Sequence, residues 1–377
     1  MIRPRRHSPL QIWATGHDTI QITWGYLPPG EVTFWAGDAH WRVHHDDGGP
    51  GGVELDGLDS DHAYRIDVRW HGGRTQLEAH TLARPPGELV ARVATVSDLH
   101  LGATRWGLTH TMRDRSDHEV PFPMRCARAA VSDARAWGAD LLLVKGDAAH
   151  HQTPDDFRQV GELLDGVPDL PVMLVPGNHD VDAPGALPMP ARVGSRGVRY
   201  IRDADHTDLD GVRVIAADTS LPGRGSGSLV RVGPAVLDLA ADAPGPCLIG
   251  LHHHLEPYRV PLNYPLGVGA PGSTRFVAAL AAANPASVVT SGHTHRNRCR
   301  RYGPVLTTEV ASTRDWPGVW AAYSVFEGGV TQVVRRALRA DAVTWHEYSR
   351  RALAGIWEWW SSGPISQRCI AQHWPSR

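Results

Sequence analysis

The chain is poor in cysteine, with four thiols in 377 residues, and none of them stands in a Cys-x-x-Cys pair. Cys126, Cys247, Cys299 and Cys369 therefore read as reduced side chains packed in the interior, which argues against a disulfide framework or a thiolate zinc site. No run of about 18 apolar residues occurs, and Arg3, Arg5 and Arg6 are not followed by an apolar stretch of secretory length. The expectation is a cytoplasmic chain without a transmembrane segment. Excess charge is missing too. With 38 basic and 40 acidic residues the formal net charge is -2, which removes the broad electrostatic reason for binding nucleic acid or an anionic membrane. Low-complexity tracts and repeats of fixed period are absent. What the chain has in quantity is histidine, 22 residues, and tryptophan, 14.

At this length one hydrophobic core is not enough, and the texture of the sequence changes once. Residues 8–84 carry short alternating segments, among them Thr19 to Trp24, Glu31 to Trp35 and Ala63 to Trp70, separated by Gly, Pro and Asp. That pattern predicts an all-β module of about seven strands. Trp24 on an early strand, and Leu55-Asp56-Gly57-Leu58 leading into Tyr64, resemble a fibronectin type III or immunoglobulin-like sandwich. Arg84-Pro85-Pro86-Gly87-Glu88 reads as a stiff linker, at which the module should be removable unless it buries a face of the remaining chain.

From Leu89 onward strands and helices alternate. Strands are expected at Val90 to Val96, Leu141 to Val144, Val172 to Val175, Val212 to Ala216, Cys247 to Leu251, Ser287 to Thr290 and Val305 to Thr308, with helices at Met124 to Trp137 and Pro154 to Leu164. Continuous apolar strands between amphipathic helices indicate an α/β layer with a buried sheet. The expected organisation is a β-sandwich over 1–84, a linker over 85–90, a catalytic domain over 91–336, and a tryptophan-rich extension over 337–377. That extension reads as one or two helices and a tail packed on the catalytic domain, its basic face being too weak for an interfacial membrane helix.

The informative residues stand at strand ends. Val93 to Val96 runs into Ser97-Asp98-Leu99-His100, and Leu141 to Val144 into Lys145-Gly146-Asp147. Val172 to Val175 runs into Pro176-Gly177-Asn178-His179-Asp180, Cys247 to Leu251 into His252-His253-His254, and Val288 to Thr290 into Ser291-Gly292-His293-Thr294-His295. Each alone is an ordinary turn or a solvated pair. Together, five strands deliver Asp, Asn or His at the carboxyl end, where open α/β sheets bind ligands. Carboxylate, imidazole and carboxamide donors without thiolate suit Mn, Fe, Zn or Mg. Two such ions about 3.5 to 4 Å apart support in-line displacement at phosphorus.

DLH, GD, GNHD, a strand-terminal histidine cluster and GHTH together resemble the calcineurin-like metallophosphoesterase superfamily over roughly residues 90–335. The resemblance implies a four-layer α/β/β/α sandwich and two divalent ions, most simply Mn, Fe or Zn. One ion would be held by Asp98, His100, Asp147 and His295; the second by the bridging Asp147 with Asn178, His252 and His293. His179, oriented by Asp180, would steady the phosphoryl oxygens or protonate the leaving alkoxide, and a metal-bound hydroxide would attack. The fourth strand ends in three histidines where the family more often shows HHP, so His253 remains an alternative to His252. The stretch Gly146 to His150 lacks the tyrosine that purple acid phosphatases place after the bridging aspartate, and His100 stands where those enzymes have no histidine ligand. A tyrosinate-bound iron centre is therefore not expected.

The reaction class is thereby narrower than the substrate. The motifs resemble most the bacterial cyclic-nucleotide-phosphodiesterase-like group, which implies a small phosphodiester substrate. A phosphomonoesterase is the alternative, and a non-catalytic scaffold of the same fold the remote one. Two polar segments are candidates for shaping the pocket: Arg105 to Arg125, with His110, Arg113, Arg115 and His118, and Glu256 to Thr274, with Tyr258, Arg259, Asn263 and Tyr264. For both, a solvated loop is the competing reading.

Overall fold

A computed structural model describes residues 10–107, 111–181, 197–260 and 264–375. Arg3, Arg5, Arg6, His110 and Asn263 lie outside the described residues.

Seven strands come first: β1 (Leu10–Thr15), β2 (Ile20–Leu27), β3 (Gly30–Ala36), β4 (Ala39–His45), β5 (Gly49–Leu55), β6 (Ala63–Trp70) and β7 (Gly73–His80). They pair into a three-stranded sheet, β1-β2-β5, and a four-stranded sheet, β4-β3-β6-β7. Because side chains alternate across a strand, Ile20, Ile22, Trp24, Phe34, Ile66 and Val68 all turn inward to one core between the sheets. The Tyr64 hydroxyl closes the turn ahead of β6 by accepting the Asp59 N–H at 2.7 Å.

This unit shares a face with the rest of the chain. Trp13 is buried in a core with Val93, Leu141, Met173 and Val334, and its indole N–H donates to the Val334 carbonyl at 3.1 Å. The Arg368 guanidinium lies 3.9 Å from the centre of the Trp13 ring and donates to the Trp13 carbonyl at 2.7 Å. Gln21 exchanges two hydrogen bonds with the Arg336 backbone, at 3.1 and 2.9 Å, and Glu54 pairs with Arg335. Removal at Pro85 would strip all of these contacts, so the sandwich is not a free appendage.

The remainder continues through β8 (Leu89–Val96), a small hairpin of β9 (Arg105–Trp106) and β10 (Met112–Arg113), α1 (Phe122–Ala136), β11 (Leu141–Lys145), α2 (Pro154–Asp165), β12 (Val172–Val175) and β13 (Val198–Tyr200). Next come β14 (Ala204–Leu209), β15 (Val212–Ala217), α3 (Gly233–Ala241), β16 (Cys247–Leu251), α4 (Ala270–Ala283), β17 (Ser287–Ser291), β18 (Arg298–Tyr302) and β19 (Val305–Glu309). The chain ends with β20 (Val319–Phe326), β21 (Gly329–Arg336), α5 (Ala340–Ser349), α6 (Ile356–Ser362) and β22 (Cys369–His373). A seven-stranded sheet, β13-β12-β11-β8-β20-β21-β22, faces a six-stranded one, β14-β15-β16-β17-β19-β18. Val93, Leu143, Met173, Val214, Leu248 and Tyr323 fill the space between them. Phe122, Met124, Phe157 and Trp345 from α1, α2 and α5 cover the outside of the first sheet, and Val236, Phe276 and Leu280 from α3 and α4 that of the second. The result is four layers, α/β/β/α.

Two segments depart from the sequence reading. The tail beyond 337 is not only helical: Cys369–His373 adds an edge strand antiparallel to β21. Five residues are too few to show a period, and only the partner strand makes them extended. The segment read as a loop to Thr274 is already α4 from Ala270, its Pro271 sitting in the first turn where a missing N–H costs nothing.

Candidate metal centre

β8, β11 and β12 are parallel neighbours in one sheet, and β15, β16, β17 and β19 in the other, so the predicted motifs leave the sheets at the carboxyl ends of parallel strands. The backbone there is unusual. Asp98, His100, Asp147, His293 and His295 all have positive φ, at 55°, 44°, 51°, 70° and 50°, a region that non-glycine residues avoid and that clusters at functional sites. Gly177 allows the close approach of two loops: a Cβ there would lie 2.2 Å from Asp147 Oδ1.

The side chains converge as lone pairs without donors. His252 Nδ1 donates to the Lys145 carbonyl at 2.8 Å, which turns Nε2 toward Asn178 Oδ1 at 3.2 Å and Asp147 Oδ1 at 3.4 Å. His293 Nε2 is held by the Leu266 carbonyl at 3.1 Å, leaving Nδ1 only 3.2 Å from His252 Nε2. A carboxylate, a carboxamide oxygen and two imidazole nitrogens pointed at one another are mutually repulsive unless a cation lies among them. A second group adjoins the first. His295 Nδ1 faces Asp315 Oδ1 at 3.0 Å, and its Nε2 lies 3.3 Å from Asp98 Oδ1. His100 Nε2 lies 3.6 Å from Asp147 Oδ2 and is a buried polar atom without a hydrogen-bond partner. Asp147 contributes one oxygen to each group. These donors, and their fixed tautomers, fit borderline divalent ions.

The charges behave accordingly. Burial works against the carboxylate of Asp98, yet His295 and His252 outweigh it and hold the group far below its ordinary value. Asp147 is likewise brought down to about 2, against burial, by His252. Burial disfavours imidazolium at His252 and His295, but Asp147 lifts the first to about 9, and Asp315 with Asp98 lifts the second to about 10. Without metal, protons therefore occupy the places of the cations. His293, desolvated and beside His252, falls to about 3.

His253 stays beside His252 as a candidate, since its Nε2 is a buried nitrogen without a hydrogen-bond partner and the residue groups with His252 and His293 within 4.8 Å. Its Nδ1 faces Thr219 Oγ1 at 2.9 Å, and its ring lies 4.6 Å from that of His293. Asp180 corrects the expectation that it orients His179. Its two oxygens accept the N–H groups of Ala148, Ala149 and Gly177 at 3.1, 2.8 and 2.8 Å, tying the Asp147 loop to the Asn178 loop. His179 is instead held through Nδ1 by the His150 carbonyl at 3.0 Å, while its backbone N–H donates to Asp147 Oδ1 at 2.9 Å.

Above these groups lies a cavity of about 660 Å³ lined by His100, Asp147, Asn178, His179, His293 and His295 from the sequence-predicted set. Four further side chains on it escaped sequence reasoning: His150, Arg314, Trp357 and Trp360. Asp315, beside Arg314, escaped it too, and it anchors both His295 and the Trp357 indole N–H, the latter at 3.2 Å. Of the two candidate segments, Arg105 and Tyr264 reach the cavity. Arg125 does not, being buried in α1 and paired with Asp114 at 2.8 Å, while Arg113, Arg115 and His118 are exposed away from the lining.

Comparison with known proteins places this geometry in a family. Residues 91–297 match the family described as calcineurin-like phosphoesterase. A probable cyclic nucleotide phosphodiesterase of Psychrobacter arcticus is 25% identical over 245 residues, covering 62% of this chain and 83% of that protein. One of Rhodococcus erythropolis is 31% identical over 139 residues, covering 33% of this chain and 43% of that protein. Among solved structures, a purple acid phosphatase from yellow lupin (Lupinus luteus) seeds aligns with a TM-score of 0.46 and 13% identity, over 87% of this chain and 71% of that one.

Proposed function

The chain belongs to the calcineurin-like phosphoesterase family and is a hydrolase acting on phosphoric ester bonds, and from that premise we propose that its substrate is a small phosphodiester and its cofactor a pair of divalent ions. The observation that carries the reading is the double group of donors divided by Asp147. Asp98, His100 and His295 would hold one ion with it, and Asn178, His252 and His293 the other, with Mn, Fe or Zn best suited to such donors. When bound, the pair supplies an activated water and neutralises charge on the phosphoryl oxygens.

The protein's own groups then have separate tasks. Lys145 O, Leu266 O and Asp315 hold the nitrogens of His252, His293 and His295 that face away from the centre, so that the opposite nitrogens keep their lone pairs turned to it. His179 carries one proton on Nδ1 against the His150 carbonyl, and Nε2 is the nitrogen available to meet a substrate oxygen; once it has taken up a second proton from solvent, it would donate that proton to the departing alkoxide and return to the neutral ring. Arg314 brings a permanent positive charge to the cavity, suited to an oxygen of the bound phosphate. Asp180 keeps the two loops in register.

The name of the Psychrobacter arcticus relative, which this chain covers over most of its length, favours a diester of cyclic-nucleotide type. Phosphate monoesters are the second reading. Hydrolysis of bis(p-nitrophenyl) phosphate and of p-nitrophenyl phosphate by the Mn(II)-supplied protein separates the two. A preference for the diester supports the proposal and a preference for the monoester overturns it. For the N-terminal unit, the strand pairing and Tyr64 support a fibronectin type III-like sandwich whose role here is structural. Four free thiols support a reducing, cytoplasmic setting, which fractionation of the producing cells would test.

A further inference from the structure

The cavity above the metal centre is far larger than a phosphoryl group requires, and at about 660 Å³ it lies within the range of small-molecule sites. Its floor is the polar set described above. The rest of its wall has the opposite character, with Tyr264 and Pro265 from one segment of the chain and Leu353, Ile356, Trp357 and Trp360 from another. Leu353, Ile356 and Tyr264 are 45%, 60% and 85% exposed, so large apolar side chains of the cavity lining face water. Apolar surface left uncovered in such a place marks a ligand contact.

The backbone makes a particular effort to keep it there. Leu353 and Ala354 have left-handed φ angles of 52° and 54°, and Gly355 comes next at 89°. Two successive non-glycine residues in that region are rare, and this turn separates α5 from α6 and presents Leu353 and Ile356 to the cavity. The wall behind them is rigid. The Trp357 indole is fixed by Asp315 and meets Trp106 edge-on at 5.2 Å, and Trp360 lies 4.8 Å beneath the Arg296 guanidinium. Residues 352–360 fall outside the stretch 91–297 that matches the family, so their part of the surface lies beyond the matched module, whereas Tyr264 and Pro265 lie within it.

We infer that the wall is a specificity subsite for a planar or bulky apolar group esterified to the phosphate, such as an aryl or heteroaryl alcohol, and that it disfavours small polyol esters. The inference rests on the diester reading, in which one ester group departs and the other is retained. Beyond the histidines, Asp147 and Arg314, Arg105 is the charged side chain among the described residues of the lining. Polyol hydroxyls would be desolvated there with few partners, whereas an aromatic ring would stack on or slide between the side chains.

The test compares phenyl p-nitrophenyl phosphate with methyl p-nitrophenyl phosphate, which release the same phenolate, on the Mn(II)-supplied full chain and on a Leu353→Ser/Ile356→Ser double variant. The expected result is a phenyl-to-methyl ratio of kcat/KM that falls by about tenfold or more in the variant. Phenylphosphonate and methylphosphonate, titrated by tryptophan fluorescence, give a second readout that needs no turnover, and the wild type should bind the phenyl compound more tightly by a margin the variant loses. An unchanged ratio together with equal affinities for the two phosphonates overturns the inference. If neither diester is cleaved while p-nitrophenyl phosphate is, the diester reading fails, and the phosphonate pair alone decides whether the wall selects apolar groups.

Discussion

Replacing Trp13 by alanine should cost the whole molecule, catalytic layers included, a large part of its stability. Trp13 is 2% exposed, and truncating a buried tryptophan costs about 3 to 5 kcal/mol. Loss of the Arg368 stack adds roughly 0.5 to 2 kcal/mol, and the Val334 carbonyl loses its indole donor. The sum, about 3.5 to 7 kcal/mol, is comparable to the entire stability of many domains. Trp316, which meets Trp13 edge-on at 5.9 Å, directly succeeds Asp315 in the chain, so the damage falls next to the carboxylate that holds His295. Urea denaturation monitored by far-UV circular dichroism and by residual esterase activity measures the effect. Tyr26→Ala, at a 66% exposed site two residues from Trp24, is the control and should shift stability by no more than about 0.5 kcal/mol. The wild type should lose structure and activity together. A Trp13→Ala penalty under about 1 kcal/mol, or a wild-type sandwich that melts apart from the activity, would show that the shared face contributes little and refute the reasoning.

Other expectations concern the centre. Asp147→Ala should empty both groups and abolish turnover, while His179→Ala should keep metal content near wild type and lower kcat by about 10²-fold to 10⁴-fold; metal analysis beside kinetics distinguishes the two, and equal metal loss would contradict the assignment. His252→Ala should cost a metal ion and His253→Ala much less, and the reverse order of metal contents would transfer the ligand role to His253. Because His252 and His295 are lifted to about 9 and about 10 in the metal-free chain, each holds a proton at pH 7.5 that metal must displace. Metal affinity therefore rises with pH and levels off above those values. Calorimetric titrations in buffers of different ionisation enthalpy should reveal the released protons, and buffer-independent heats would count against the raised imidazoles.

How much of the site was legible in the sequence depended on distance along the chain. The expected ligands sit within four residues of strands that declare themselves as apolar runs, so Asp98, Asp147, Asn178, His252 and His293 stood out as candidates from local pattern, while their division between two ions came from the family resemblance. Asp315, Arg314, Trp357 and Trp360 did not. They reach the site from the segment between β19 and β20 and from α6, and no spacing rule connects them to a motif. Asp180 shows the opposite failure: its place in GNHD suggested a partner for the adjacent His179, but a buried carboxylate facing three backbone N–H groups satisfies those first. Trp13 stands on the six-residue strand β1. Its period could not reveal that β1 turns this side chain into the neighbouring core.

The most direct test of the proposed dinuclear centre is anomalous diffraction from a crystal of the Mn(II)-loaded protein at the manganese edge. Two peaks per chain are expected, one bounded by Asp98, His100 and His295 and the other by Asn178, His252 and His293, with a carboxylate oxygen of Asp147 directed at each. A single peak, or a second ion bound by His253 in place of His252, would contradict the assignment.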